Sequence, residues 1–119
     1  MHRALARLVF TFSCSSAMAG NFATCVLDKL PGTQNGAVHA AVVSMCVQQN
    51  PNRFYDIQKG SGRGFFGYSS GTECTIDKGK NTTWADSAIL IGVACECLYT
   101  KATGNPSPCD GPWTKYAPR

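Results

Sequence analysis

Hydrophobic positions in this chain fall into two similar stretches, and each stretch runs into a cysteine. The first covers residues 36–47, with Asn35 before it as a helix cap and Asn50-Pro51-Asn52 at its end. Its apolar residues recur at i, i+3, i+4 and i+7, at Val38, Ala41, Val42 and Met45. This spacing predicts a helix with one apolar stripe facing the core.

The second stretch covers residues 83–99 and is apolar at every position from Ala88 to Cys95. A helix that is apolar on all faces is typical of a buried, central element. Thr83-Trp84-Ala85-Asp86 resembles a capping box in which Asp replaces the commoner Glu. A short apolar run also fits a buried strand, but the cap and the alanines favour a helix.

An internal repeat relates the two stretches. Cys25-Val26-Leu27-Asp28-Lys29 resembles Cys74-Thr75-Ile76-Asp77-Lys78, and a second cysteine follows each opening after 21 positions. The repeat units are therefore residues 25–46 and 74–95, and Thr33 aligns with Thr82. Each unit predicts a hairpin in which a short segment returns alongside a helix. Residues 21–30 fit a helix, whereas Cys74–Lys78 fits a short strand better.

The repeat also predicts which cysteines pair. A disulfide at the open end of each hairpin would join its two cysteines, which leaves the last two to pin the tail. Each such bridge closes a loop of roughly 13–22 residues and contributes about 3 kcal/mol in the chain-entropy model. The predicted pairs are Cys25–Cys46, Cys74–Cys95 and Cys97–Cys109. The predicted fold is mainly α, a small disulfide-stapled domain of two hairpin units, with a short β segment near Cys74 as the α+β alternative.

The N-terminus predicts export. Residues 1–19 hold a basic start, a mainly apolar stretch and a small-x-small end at Ala17-Met18-Ala19, as in a cleavable signal peptide. The alternatives are an amphipathic helix of a cytosolic protein and a lipoprotein anchor at Cys14. The seventh cysteine, Cys14, leaves with the signal, and the six that remain suit an oxidising compartment. We therefore expect a periplasmic or secreted protein.

Composition narrows the classes of protein to which this chain could belong. Residues 20–119 predict one domain with a Gly- and aromatic-rich connector at 53–71 and a Pro- and Gly-rich tail at 103–119. They carry nine basic and seven acidic residues, and this small positive excess does not indicate nucleic-acid binding. The N-terminal apolar run is too short to span a membrane. Without a C-x-x-C pair, a zinc site is not predicted. No cofactor is expected.

The connector carries the candidate binding site. Arg63, Phe65, Phe66 and Tyr68 lie on a glycine-rich segment, and aromatic residues with arginine are typical of binding hot spots. The competing interpretation buries both phenylalanines under the loop. Residues 62–67 also match G-x-G-x-x-G, but that motif binds nucleotides only between a strand and a helix, and no helix pattern is evident after it.

Candidate catalytic groups are few. His39 is the one histidine after residue 19, and it lies too far along its helix from Cys46 to form a dyad. Asp28 and Asp77 are related by the repeat, so a pseudo-two-fold arrangement could pair them as glycosidase-like acids. Cys95-Glu96-Cys97 fits structural disulfides better than a redox pair, and Asn81-Thr82-Thr83 is a glycosylation sequon. No catalytic residue or metal ligand is assigned.

The function expected from these features is binding. A small, stapled domain without an evident catalytic set fits an inhibitor or immunity-type partner of another exported protein or of a cell-envelope component. A small secreted hydrolase using carboxylates, through Asp28, Asp77 or His39, is the first alternative. A structural component of an envelope assembly is the second.

Overall fold

The computed structural model describes residues 20–102 and Cys109, and within them the chain is mainly helical. The predicted signal peptide at 1–19 and the rest of the tail at 103–119 lie outside the described residues. The elements are α1 (Phe22–Lys29), α2 (Gly36–Gln49), α3 (Gly71–Gly79) and α4 (Ala85–Tyr99). None of these helices is long and apolar enough to cross a bilayer.

Polar side chains start three of the helices. Asn21 and Asn35 cap α1 and α2, each accepting a hydrogen bond from the backbone N–H three residues on. Ser70 caps α3 in the same way, through the backbone N–H of Glu73. Such caps supply partners for N–H groups that the first turn leaves free. The predicted α2 cap at Asn35 is thus confirmed.

Helix α4 begins differently from the predicted capping box. Its N-cap residue is Trp84, which makes no side-chain capping hydrogen bond. Instead, the backbone N–H groups of Thr83 and Trp84 donate to the carbonyl of Thr33, at 3.2 and 3.1 Å. The turn of the other hairpin therefore supplies the acceptor that the Thr83-x-x-Asp86 motif was expected to provide.

The two hairpin units meet at their repeat-related turns. The backbone N–H of Gly32 donates to the Thr82 hydroxyl at 3.0 Å, and Thr33 accepts from the start of α4. Thr33 is itself buried, and its hydroxyl donates to the Leu30 carbonyl at 2.6 Å. The aligned threonines thus lie at one reciprocal contact between the units.

The helices pack in the order α2, α1, α4, α3. Helix α4 packs against both α1 and α3, and α2 packs mainly against α1. The connector adds two buried side chains to this core, with the Phe54 ring edge-on to Phe22 at 4.9 Å between centroids. The largest buried apolar side chains are Phe22, Val26, Leu27, Leu30, Phe54, Ile57, Ile91 and Leu98.

Three disulfides close the described structure, and they are the three predicted from the repeat. Cys25–Cys46 and Cys74–Cys95 each bridge 21 positions and join the two helices of one hairpin. Cys97–Cys109 joins the last turns of α4 to the tail, and the Cys109 N–H donates to the Ile57 carbonyl at 2.7 Å. The fold class is therefore confirmed as a small, mainly α, disulfide-stapled domain.

The predicted β segment near Cys74 is wrong. Residues 71–79 form the helix α3, with Ser70 as its cap and Glu73 in its first turn. The Ser70-x-x-Glu73 spacing is a capping-box pattern that favours a helix start. Cys74–Lys78 was expected to fit a short strand, but it belongs to α3, which buries Gly71 and Cys74 against α4.

Two predictions about helix faces also need correction. In α4, Ile89 is 61% exposed, because α1 and α3 cover only part of the helix surface. In α2, the predicted inward stripe is rotated, and Val38 is 45% exposed. Val42 of the predicted stripe does pack against the core. The same side of α2 carries Gly36 beside Trp84, His39 beside Ser87 and the disulfide-bonded Cys46.

Candidate functional site

All four predicted binding residues lie on one loop, residues 60–70, which we call the tip loop. It connects the turns of the connector to the N-terminus of α3 and runs past the C-terminal end of α4. The structure divides these residues into two pairs. Arg63 and Tyr68 hold the loop in place, whereas Phe65 and Phe66 project from it.

Two glycines allow the base of the tip loop to lie against α4. The N–H groups of Gly60 and Gly62 donate to the carbonyls of Cys97 and Leu98, each at 2.8 Å. Gly60 has a φ of +81°, which other residues rarely adopt. A Cβ atom on Gly62 would come within 2.9 Å of the Leu98 Cβ. Larger residues at either position would therefore push the loop away from α4.

Arg63 ties the two sides of the tip loop together. Its guanidinium donates to the carbonyl of Ser69 at 2.8 Å and to the carbonyl of Tyr99 at 2.9 Å. The Tyr99 carbonyl belongs to the last turn of α4, where a positive charge is favourable. Arg63 is exposed, but its donors are directed at the protein backbone. In the loop it therefore acts as a brace.

Glu73 holds the far end of the loop. Its carboxylate accepts hydrogen bonds from the backbone N–H of Ser69, at 3.1 Å, and from the Ser69 hydroxyl. These donors, the hydroxyl first, lower the pKa of Glu73 because they stabilise the ionised carboxylate. Together with the Ser70 cap, this contact joins the tip loop to the first turn of α3.

Tyr68 connects the loop to two helices. Its hydroxyl donates to the Asp77 carboxylate on α3, and its ring stands edge-on to Tyr99 of α4 at 5.1 Å between centroids. The hydrogen bond to Asp77 is the main reason that the pKa of Tyr68 is raised to about 12. The same bond lowers the pKa of Asp77, with a smaller contribution from Lys80. Tyr68 is half-buried, so it is a support for the tip more than a contact surface.

Phe65 and Phe66 project into solvent from this braced frame. Their side chains are 97% and 96% exposed, and the two rings meet edge-to-face at 5.2 Å between centroids. The alternative in which both rings pack under the loop is therefore wrong. A phenylalanine can remove about 150–250 Å² from water when it enters an apolar site. The pair is the most exposed apolar feature among the described side chains.

Sequence reasoning missed the residues that hold the tip. The hydrogen bonds described above involve Ser69, Glu73, Asp77 and Tyr99. None of the four was predicted as part of the binding site, and Asp77 had been considered only as a candidate acid. One signal was present, because Ser70-x-x-Glu73 predicts a helix start directly after the loop. The contacts to Asp77 and Tyr99 join positions that no local pattern connects.

The glycine motif within the loop does not form a nucleotide site in this structure. A helix does follow it, at Gly71, contrary to the sequence expectation. However, the residues before it are turns and a single bridge residue, Gln58, so the strand–loop–helix context is missing in this part of the chain. The N–H groups of Gly62 and Gly67 are already bonded to the carbonyls of Leu98 and Gly64.

The candidate catalytic residues are dispersed. His39 hydrogen-bonds through Nδ1 to the Ser87 hydroxyl at 2.7 Å, and Ser87 is fully buried, out of reach of a substrate. Asp77 binds Tyr68, and Asp28 forms an exposed ion pair with its neighbour Lys29 at 3.4 Å. Within residues 20–102 and Cys109, no three His, Cys, Asp or Glu side chains cluster as a metal site would need.

Comparison with known protein families, with curated proteins and with solved structures finds no match to this chain.

Proposed function

We propose that this protein acts by binding another exported protein, with Phe65 and Phe66 as its anchors. The observation that carries the proposal is the pair of fully exposed rings on a loop that is braced from both sides. Exposed aromatic pairs are costly in water and are typical of contact surfaces. An inhibitor or immunity-type role fits this arrangement, since it requires tight binding and no chemistry of its own.

The rigidity of the tip loop supports a binding role. Its base is bonded to α4, its centre is closed by Arg63, and its end is held by Glu73. Two disulfides, Cys74–Cys95 and Cys97–Cys109, fix the helix that these contacts use. A loop already ordered before binding loses less conformational entropy in the complex, which favours affinity.

Export supports the choice of partner. The predicted signal at 1–19 and the three disulfides both suit a protein that folds in an oxidising compartment. We therefore expect the partner in the periplasm or outside the cell.

The test is a pull-down from envelope and medium fractions with oxidised residues 20–119 as bait. Phe65→Ser with Phe66→Ser should abolish capture of a stoichiometric partner, because truncating central aromatic anchors weakens binding by about 30-fold or more. Tyr55→Ser is the matched control, since Tyr55 is another exposed aromatic residue outside the tip loop. A partner captured equally by the double variant would overturn the proposal.

Arg63→Ala separates positioning from contact. It removes the brace but keeps both phenylalanine side chains, so capture should weaken less than in the double phenylalanine variant. The NMR resonances of the loop amides should broaden in Arg63→Ala and stay sharp in Tyr55→Ser. Unchanged loop resonances in Arg63→Ala would contradict the bracing role.

A further inference from the structure

An open groove between α3 and α4 is a second binding surface of this molecule. Its volume is about 370 Å³, at the small end of the range of ligand pockets. Two large side chains on its walls are well exposed, Ile76 of α3 at 67% and Ile89 of α4 at 61%. The rest of its lining is Thr72, Thr75, Gly92, Val93 and Glu96. The groove therefore suits one large apolar side chain rather than a protein surface.

Glu96 places a hydrogen-bond acceptor in this mainly apolar lining. Its Oε2 accepts a hydrogen bond from the Thr100 hydroxyl at 2.6 Å. Its Oε1 lies over Gly71, where an added Cβ atom would come within 2.6 Å of it. These two contacts hold the carboxylate in place. A carboxylate accepts several hydrogen bonds, so Glu96 can accept from a further donor in the groove.

Charge does not select the occupant of the groove. Glu96 is negative, but Lys80 stands beside the α3 wall, one turn after Ile76. The Lys80 ammonium pairs with Asp77 at 3.5 Å, and both side chains are exposed. Shape and hydrogen bonding are therefore the selective features. A large apolar ring system with a single N–H donor, the indole of tryptophan, matches both.

The tail brings a tryptophan within reach of the groove. Residues 110–119 lie outside the described residues, but their starting point is fixed, because Cys109 is bonded to Cys97 with 5.3 Å between the Cα atoms. Val93 lines the groove one turn before Cys97, so its Cα lies within about 12 Å of the Cys109 Cα. Trp113 follows Cys109 by four residues, which extend up to about 13–14 Å.

We propose that the α3–α4 groove binds the indole of Trp113 from the tail of the same chain, with Glu96 accepting the indole N–H. A tether of four residues holds the ring at roughly millimolar effective concentration beside the groove, so the contact needs no large interface. The sequence has two tryptophans, and the other, Trp84, is the N-cap residue of α4.

This contact gives the third disulfide a second role, because Cys97–Cys109 sets the start of the tail beside the groove. The docked ring covers Ile76 and Ile89 and joins α3 to α4 on the side of the groove. It leaves the phenylalanines of the tip loop in solvent. The inference therefore goes beyond the proposed function and does not rest on it.

The experiment is tryptophan fluorescence of oxidised residues 20–119 carrying Trp84→Phe, so that Trp113 is the single tryptophan emitter. Docked Trp113 should emit at shorter wavelength than free N-acetyltryptophanamide and should resist quenching by acrylamide, because the groove shields the ring. Ile89→Asp in the same background should abolish the shift and the protection, since it places a charge on the groove wall. Val38→Asp on α2 is the matched control at another exposed apolar side chain, and it should change neither.

Proton NMR of the Trp84→Phe chain then locates the ring. The indole protons should show nuclear Overhauser contacts to the methyl groups of Ile76, Ile89 and Val93. Glu96→Ala should shift the indole N–H resonance, because it removes the acceptor. Far-UV circular dichroism and intact mass confirm that each variant is folded and fully oxidised.

Three results would overturn the proposal. The first is an emission and quenching of Trp113 equal to those of free N-acetyltryptophanamide. The second is a set of indole contacts to another part of the molecule. The third is protection that appears only at high protein concentration, which would assign the groove to the tail of another copy. The pull-down above would stand in each case, because it depends on the tip loop and not on the groove.

Discussion

The two hairpin units have the same plan and different burial. Helices α2 and α4 occupy equivalent places in the repeat, and both are rich in apolar residues. In α4 six residues are buried, including Ile91 and Leu98, whereas in α2 only Cys46 is buried. An apolar helix is thus not necessarily a central one. The number of neighbouring helices determines how much of a helix is buried. Helix α4 has two principal neighbours, whereas α2 has one.

The difference extends to the repeat-related acids. Asp77 of the second unit receives a hydrogen bond from Tyr68 and supports the tip loop. Its counterpart Asp28 in the first unit forms an exposed ion pair with the adjacent Lys29. The second unit therefore anchors the tip loop through Asp77, whereas Asp28 of the first unit makes no such contact with the loop. Matched substitutions at repeat-related positions test this contrast.

Removal of a disulfide and truncation of the buried core should give the two largest effects, and the disulfides come first here. Replacing both cysteines of either 21-position bridge by alanine should cost about 3 kcal/mol of unfolding free energy, since the two loops have equal lengths. The Cys74–Cys95 variant should lose more than the Cys25–Cys46 variant. Both Cys74 and Cys95 are fully buried, whereas Cys25 is partly exposed. Urea unfolding measures both, and equal losses would contradict the difference in burial.

Truncation of apolar side chains should follow the same order. Ile91→Ala in α4 should cost about 2–5 kcal/mol, because Ile91 is fully buried between helices. Its repeat counterpart Val42 is only partly buried, so Val42→Ala should cost about 1 kcal/mol or less. The free energy of unfolding from urea titrations distinguishes the two. A Val42→Ala cost equal to that of Ile91→Ala would mean that α2 is covered in solution.

A smaller effect is expected at the polar contact between the units. Ser87→Ala removes the hydroxyl that bonds His39 and should cost about 1 kcal/mol. The repeat counterpart of Ser87 is Val38, an exposed residue, and Val38→Ala should change stability by less than about 0.5 kcal/mol. Thermal unfolding of both variants at one pH provides the measurement. A neutral Ser87→Ala variant would show that this contact does not couple the units.

The smallest effect on stability, and the most specific one, concerns the titration of the loop supports. The pKa of Tyr68 is raised to about 12, mainly by its hydrogen bond to Asp77, so its contribution to stability is present below about pH 10 and is lost as pH rises towards 12. Asp77→Asn should lower the pKa of Tyr68 towards the ordinary value, whereas Asp28→Asn should leave it unchanged. Absorbance at alkaline pH, with Tyr68→Phe to assign the transition, measures this shift.

The same supports predict a response to acid. The carboxylates of Glu73 and Asp77 accept hydrogen bonds from the hydroxyls of Ser69 and Tyr68. These hydrogen bonds lower the pKa of each carboxyl group. Their contribution is therefore complete above about pH 5, beyond the ordinary carboxyl pKa values, and is lost as pH falls through the lowered ones. The tip loop should loosen below about pH 4 while the disulfide-bonded helices persist. Loop amide resonances that stay sharp throughout an acid titration would contradict this.

Local sequence patterns determined the disulfide pairing, the start of α2 and the choice of candidate binding residues. The 21-position spacing in both units predicted the disulfide pairs, because a hairpin brings its two ends level. Asn35 before an apolar stretch predicted the start of α2, since a cap acts on neighbouring N–H groups. Arg63, Phe65, Phe66 and Tyr68 stood out through composition alone.

Tertiary structure decided the rest, because it depends on contacts between residues distant in sequence. The rotation of α2 follows from His39 meeting Ser87 and Cys46 meeting Cys25, so the predicted stripe at Val38 turned outward. The roles of the four loop residues separated only when Tyr99 and Asp77 were placed beside them. Exposure of the two phenylalanines is likewise a property of the packed molecule, since it depends on which surfaces the helices leave uncovered.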